Sequence, residues 1–279
     1  MGNIVWLASY PKSGNTWLRA FLANWLHDGE RPLPLAELSR YALDEALPAW
    51  YADFVDGGDT TALDAAGITA LRPRVHARLA ELGAGSTFVK THNMMGELGG
   101  VPLHNLAVTA AAIYVVRNPL DVALSVADHF GLSADDAIAF MGEERTGTLN
   151  DHLFVSQMLG SWSTHVGSWT GEEHPRYLVL RYEDMIEKPV KAFGRVLRHL
   201  NLAGDARRLK QALRHADFRS LRAQEGREGF AERSPHAQSF FRAGRAGQWR
   251  TQLTRAQVER VVARHGEQMA RFGYLKGVR

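Results

Sequence analysis

Lys12 stands in a short polar stretch, Tyr10-Pro11-Lys12-Ser13-Gly14-Asn15-Thr16-Trp17, which interrupts an apolar run and opens a helical pattern. A strand, a tight loop and a helix start in that order can hold an anion. The first turn of a helix presents unpaired backbone N–H groups at the positive end of its dipole. Here the amides of Ser13, Gly14, Asn15 and Thr16 are on offer. Gly14 permits close backbone approach and Lys12 adds a mobile point charge. Read alone, the same stretch is also an ordinary strand–helix turn with a solvated lysine. It is not a Walker loop, because G-x-x-x-x-G-K-[ST] occurs nowhere in the chain. The spacing therefore points to a phosphate-like anion held outside the usual triphosphatase arrangement.

His92 is the second residue with chemistry in view. It follows an apolar strand-like run, Thr87–Thr91, at the end where an α/β sheet exposes side chains to ligand. With an ordinary pKa near 6.5, an imidazole can take a hydroxyl proton at neutral pH. Lys90 lies two residues earlier, on the same strand face. Arg117 closes another apolar run, and Asn118-Pro119 opens a helix with proline at a favourable first-turn position. A strand-end arginine before a capped helix has a purely structural reading as well.

These residues need elements to position them. Ile4–Ser9, Thr87–Thr91, Ile113–Arg117 and Tyr177–Arg181 read as buried strands, each followed by polar or helix-starting residues. Helical patterns are expected over 15–27, 120–130, 150–169, 188–200, 205–215 and 254–271, the last with Thr254 as N-cap. Strands alternating with helices predict an α/β fold of three layers, a mainly parallel sheet with helices on both faces. The 279 residues, 45% apolar, contain no repeat and no linker, so 1–279 reads as a single domain. Residues 28–86 mix proline, glycine and acid with short helical pieces, and 222–248 is a glycine- and arginine-rich loop.

Composition removes several function classes. There is no cysteine, hence no disulfide and no thiolate zinc site. A net charge of +3 without a dense basic block favours small anionic ligands over nucleic acid. No run approaches ~20 apolar residues and no leader pattern opens the chain, so a soluble cytoplasmic protein without membrane contact is expected. Neither H-E-x-x-H nor G-x-S-x-G occurs, and no metal site is expected.

Taken jointly, the motifs resemble a known family. Y-P-K-S-G-N-T-W at 10–17 is similar to the 5′-phosphosulfate loop of the soluble sulfotransferases, usually Y-P-K-S-G-T-T-W. K-T-H at 90–92, V-V-R-N-P-L-D-V-A-L-S at 115–125, R-Y-E-D-M at 181–185 and F-R-A-G-R-A-G-Q-W at 241–249 match in the family's order. The resemblance runs from residue 4 to about 250 and is closest to bacterial small-molecule members. It implies 3′-phosphoadenosine 5′-phosphosulfate as donor, 3′,5′-adenosine bisphosphate as product, a small-molecule hydroxyl as acceptor, and no metal.

The resemblance also assigns roles. His92 becomes the general base, Lys12 the group on the leaving oxygen and Lys90 a second charge stabiliser. Ser13, Gly14, Asn15 and Thr16 surround the 5′-phosphate, with the Thr16 hydroxyl among the donors. Arg117 and Ser125 hold the 3′-phosphate, and Arg242, Ala243 and Gly244 complete that pocket. Family members commonly have Arg-Lys-Gly there, so Ala243 removes one cation. Trp17 and Phe218 are the candidate clamp on adenine, with Tyr182 at its edge. Asp217 stands before Phe218 where the family more often has serine.

The acceptor pocket is expected from 28–86, 128–150 and 222–240, and 222–240 is expected to act as a lid over bound donor. A possible homodimer is implied through R-T-Q-L-T-R-A-Q-V-E at 250–259, which meets the family's dimer segment in part, Arg255 replacing a valine. The rival readings are a small-molecule kinase, which would want a strand-end aspartate for Mg²⁺ where His92 and Arg117 stand, and a non-catalytic nucleotide-binding module.

Overall fold

The computed structural model describes residues 3–278 apart from 84 and 203. In chain order the strands are β1 (Ile4–Ser9), β2 (Leu43–Asp44), β3 (Thr87–Thr91), β4 (Glu97–Leu98), β5 (Val101–Pro102), β6 (Thr109–Val116) and β7 (Tyr177–Arg181). The helices are α1 (Asn15–His27), α2 (Ala65–Glu81), α3 (Pro119–Phe130), α4 (Ala134–Gly142), α5 (Trp162–Thr170), α6 (Tyr182–Glu187), α7 (Pro189–His199), α8 (Ala206–His215), α9 (Phe218–Glu228), α10 (Trp249–Gln252) and α11 (Arg255–Arg271). Short 3₁₀ turns fill most of the stretch between 35 and 62.

Five strands form one parallel sheet in the order β2-β3-β1-β6-β7, and β4 pairs with β5 in a small antiparallel hairpin. The centre falls on β1, whose six residues are all buried, as a strand covered on both faces should be. Its side chains alternate between two cores. Ile4, Trp6 and Ala8 join the core under α2, α3, α4, α5 and α11. Val5 and Leu7 join the other, with Phe21 and Trp25 of α1 and Phe193 of α7. These are the three layers the sequence predicts. Because the strands are parallel, every carboxyl end lies on the same edge of the sheet, and Ser9, Thr91, Val116 and Arg181 each deliver the chain there.

The elements differ from expectation in several places, α4, α6 and the β4–β5 hairpin among them. β6 begins at Thr109 and ends at Val116, so Arg117 lies just beyond the strand. The helix expected over 150–169 is only Trp162–Thr170. Residues 150–161 are not helical, and at their start a side chain captures the backbone in a turn: Asp151 Oδ1 accepts the N–H groups of Leu153 and Phe154, at 2.7 Å each. Within 28–86 lie β2, paired to β3 through Leu43↔Val89 and Asp44↔Lys90, and α2, capped by Asp64. Residues 222–228, expected to be loop, continue α9. Asp217 caps that helix by accepting the Ser220 N–H at 2.6 Å, which sets Phe218 in its first turn.

Candidate active site

A cavity of about 680 Å³ opens at the carboxyl edge of the sheet. Its floor is the β1–α1 loop. Lys12 adopts φ 64° and Gly14 φ 106°, left-handed values that turn the chain sharply into α1. Gly14 is required twice over, since a Cβ there would sit 2.6 Å from the Tyr182 ring. The amides of Asn15 and Thr16, at the start of α1, have no acceptor within the helix, whereas that of Trp17 already reaches the Gly14 carbonyl at 3.1 Å. Asn15 braces the loop, donating from Nδ2 to the Leu7 carbonyl at 2.7 Å, so its side chain faces β1 and only its backbone is offered. Ser13 lies fully buried beneath the cavity surface, with its hydroxyl unpartnered.

The Lys12 ammonium lies 3.9 Å above the Phe240 ring and donates to His129 Nδ1 at 3.3 Å. Burial pushes its pKa down to about 8, against the pull of Glu232. The same burial, with Lys12 beside it, brings the His129 imidazole to about 4. Thus the lysine, the aromatic ring and a neutral histidine share one wall.

His92 is half-buried at the end of β3. Its Nδ1–H donates to the Ser9 carbonyl at 2.8 Å, which leaves Nε2 as the unprotonated acceptor. Gln157 holds the His92 N–H at 3.0 Å. Burial first, and Lys90 second, hold the imidazole down to about 3 despite the Ser9 bond, so it is neutral across ordinary pH. Lys90, buried beside it, donates to Asp44 Oδ2 at 2.6 Å. That pairing exists because β2 places Asp44 in register with Lys90.

Across the cavity, Arg117 donates to the Lys12 carbonyl at 2.9 Å and lies 4.6 Å from the Tyr182 ring, with its Nε unpartnered. Ser125 of α3 faces the same space, as do Arg242, Ala243 and Gly244. Gly244, at φ 58°, runs so close to Phe218 that a Cβ would lie 2.3 Å from the ring. Trp17 stands edge-on to Tyr182 and Phe193, at 6.0 and 5.4 Å between centroids. Every residue given a catalytic or donor-binding role in the sequence lines this cavity except Ser13.

Two of the three segments expected to shape the acceptor pocket, 128–150 and 222–240, do line the cavity, while Phe154 comes from outside them. Phe130, Phe140, Phe154 and Phe240 make an aromatic wall. No residue of 28–86 lines the cavity, contrary to expectation; that segment acts from behind, through Asp44 on Lys90. Glu232 also reaches in, at 2.6 Å from Arg19 Nη1. One sequence signal pointed towards it, a lone arginine within the otherwise apolar helical run L-R-A-F-L at 18–22. Among the described residues, no group of three or more His, Asp or Glu side chains is gathered for a metal, and no helix is long and apolar enough to cross a membrane.

A family model described as "Sulfotransferase domain" matches residues 3–273. Sulfotransferase 1A1 of Canis lupus familiaris is 26% identical over 279 residues, covering 96% of this chain and 83% of that protein. Luciferin sulfotransferase of Photinus pyralis is 27% identical over 227 residues, covering 77% and 56%. Among solved structures, retinol dehydratase in complex with androsterone and the inactive cofactor PAP superposes with a TM-score of 0.65 at 20% identity, covering 96% of this chain and 80% of that one. Mouse sulfotransferase SULT7A1 complexed with PAP gives 0.62 at 19%, covering 96% and 84%. At those identities the superpositions speak for the fold.

Proposed function

The chain belongs to the family of sulfotransferase domains, and from that premise we propose that it moves a sulfuryl group from 3′-phosphoadenosine 5′-phosphosulfate to the hydroxyl of a small cytoplasmic acceptor. The observation that carries this reading is the convergence of Lys12, Lys90, His92, Arg117 and Arg242 on one cavity. The residues fit such a donor. The buried Ser13 hydroxyl and Arg117 Nε lack partners, and Gly244 lets the backbone lie flush against the Phe218 ring, where a side chain would collide with it.

The donor supplies a sulfuryl group activated by its bond to phosphate. The first-turn amides, the Thr16 hydroxyl and Lys12 hold the phosphosulfate end, and Lys12 stabilises the charge that gathers on the released phosphate oxygen. Arg117, Ser125, Arg242 and the Gly244 amide take the 3′-phosphate. Trp17, Phe218 and Tyr182 enclose the base. His92 offers Nε2 to the acceptor hydroxyl and takes its proton as the new sulfur–oxygen bond forms and the sulfur–phosphate oxygen bond breaks. Lys90 adds positive charge beside the transfer point. The aromatic wall of Phe130, Phe140, Phe154 and Phe240 suits a flat or hydrophobic acceptor such as a phenol.

The test is nucleotide discrimination. A charge-assisted contact contributes on the order of 1.5–3 kcal/mol, so two arginines on a 3′-phosphate should discriminate by roughly a hundredfold or more. Thermal denaturation should therefore show 3′,5′-adenosine bisphosphate stabilising the protein without added metal, and 5′-AMP or ATP–Mg²⁺ doing so far less. Replacing Arg117 and Arg242 together by Ala should erase the preference. Equal stabilisation by ATP–Mg²⁺ would replace this reading with the kinase.

A further inference from the structure

Glu232 puts a carboxylate in the middle of the anion site. It comes from the loop after α9, and its Oε1 lies 2.6 Å from Arg19 Nη1. Its Oε2 accepts from the Thr16 hydroxyl at 3.5 Å and lies 3.7 Å from Lys90 Nζ. Arg19 is buried on α1, one turn beyond Thr16, and its Nε has no partner. The carboxylate itself faces the cavity. Of its three partners, Thr16 and Lys90 are groups that the proposed donor needs at its phosphosulfate end. Two anions cannot occupy that position together without strong repulsion, which a buried setting screens poorly.

The loop carrying Glu232 is built so that this side chain can leave while the donor-facing residues stay. Its far part is anchored: Glu225 of α9 accepts the N–H groups of Phe240 and Phe241 at 2.6 and 3.0 Å. Asp121 of α3 accepts those of Gly247 and Trp249 at 2.6 and 3.1 Å. Residues 230–239 have local turns, Arg233 N–H to the Phe230 carbonyl and Ala237 N–H to the Ser234 carbonyl. Their ties to the phosphate loop run through the Glu232 carboxylate. Gly229, at φ 76°, supplies a hinge at the start.

We propose that Glu232 is a displaceable internal anion: in the empty protein its carboxylate stands in for the phosphosulfate group, and the incoming donor expels it and inherits Thr16, Lys90 and the buried Arg19. This rests on the donor reading above. Arg19 thereby becomes a further cation of the donor site, one that no motif marks. The carboxylate keeps Arg19 neutralised and ordered, Lys90 being already paired with Asp44, at the expense of apparent donor affinity.

Calorimetric titration of wild type, Glu232→Gln and Glu232→Ala tests it, with 3′,5′-adenosine bisphosphate, inorganic pyrophosphate and uncharged adenosine as the three probes. Gln preserves size and hydrogen bonding to Arg19, and Ala guards against a residual plug; circular dichroism melts confirm that both fold. Both variants should bind the bisphosphate and pyrophosphate about tenfold more tightly than wild type, with adenosine unchanged. Equal or weaker binding of both anions by the variants overturns the proposal and makes Glu232 a fastening of the loop. Should wild type fail to bind the bisphosphate while the variants gain pyrophosphate affinity, the donor reading falls and the internal anion stands. Absence of pyrophosphate binding in all three proteins overturns the internal anion outright.

Discussion

Lys12 combines two costs that a solvated lysine avoids. Its backbone sits at φ 64°, a region that costs a non-glycine residue of order 1–3 kcal/mol, and burial lowers its pKa to about 8. Below that value the amine is charged and can stabilise a leaving oxygen; above it the charge is lost. The kcat/KM profile, which reports the free enzyme, should therefore fall above about pH 8. Lys12→Arg should move that limb out of range even while lowering the maximum, and an unchanged basic limb would remove Lys12 from the mechanism. His92 behaves oppositely. With its pKa held to about 3, it stays neutral through the acid range, so no acid limb from this imidazole is expected above about pH 5. Its substitution by Gln should slow turnover by roughly 10²–10⁴ while bisphosphate affinity persists. Near-wild-type turnover would send the search to another base.

At the scale of elements, the loop from 229 to 247 depends on two carboxylates placed by helices. Asp121 of α3 holds its end through two backbone N–H groups. Each bond to a charged acceptor is worth on the order of 1.5–3 kcal/mol. Asp121→Ala should lower stability by roughly 3 kcal/mol, speed proteolytic cutting within 229–247 and weaken bisphosphate binding through the displaced Arg242 and Gly244. A cutting rate and affinity equal to wild type would show that the loop is positioned otherwise. These anchors mark what could and could not be read in the chain. β1, β3 and β7 were legible to the residue because each is a short run rich in β-branched, aromatic and aliphatic residues that ends at polar or helix-starting ones, and α11 because Thr254 and Gln257 form a capping box. β2 was not, being two residues long and specified by pairing with β3. Nor was α9, which buries only Leu221, Gln224 and Glu225 and so shows no apolar stripe. In the site, His92 and Arg117 announce themselves by following strands directly, and Lys12 by its place in the polar loop between β1 and α1. Glu232 meets Arg19 from 213 residues away, a distance at which no local pattern operates.

Over the whole molecule, histidine burial sets the response to acid. His104 and His165 are almost completely buried. His104 stands edge-on to Trp6 and Trp169, with ring centroids at 4.8 and 4.9 Å. His165 spans from the Tyr114 hydroxyl at 2.8 Å to the His92 carbonyl at 3.0 Å, so both ring nitrogens are committed to the neutral form. Burial is the leading cause that lowers His104 to about 3 and His165 to about 4. In the unfolded chain each would titrate near 6.5. Between those values the unfolded state binds protons that the folded state refuses, so stability falls as pH drops below about 6.5 and continues to fall until the folded pKa values are reached. At pH 5 the loss is about 2 kcal/mol for each of these two groups, and His92, held to about 3 in the fold, adds a similar loss, together a sizeable part of the ~5–15 kcal/mol that holds a domain together. The melting temperature at pH 5 should lie roughly 5–10 °C below that at pH 7. Since His92 in the folded protein does not titrate in this interval, activity lost between pH 7 and 5 should track the unfolded fraction and return on neutralisation. A melting temperature unchanged from pH 7 to 5 would mean that these histidines are accommodated as cations, against the bonds that hold them neutral.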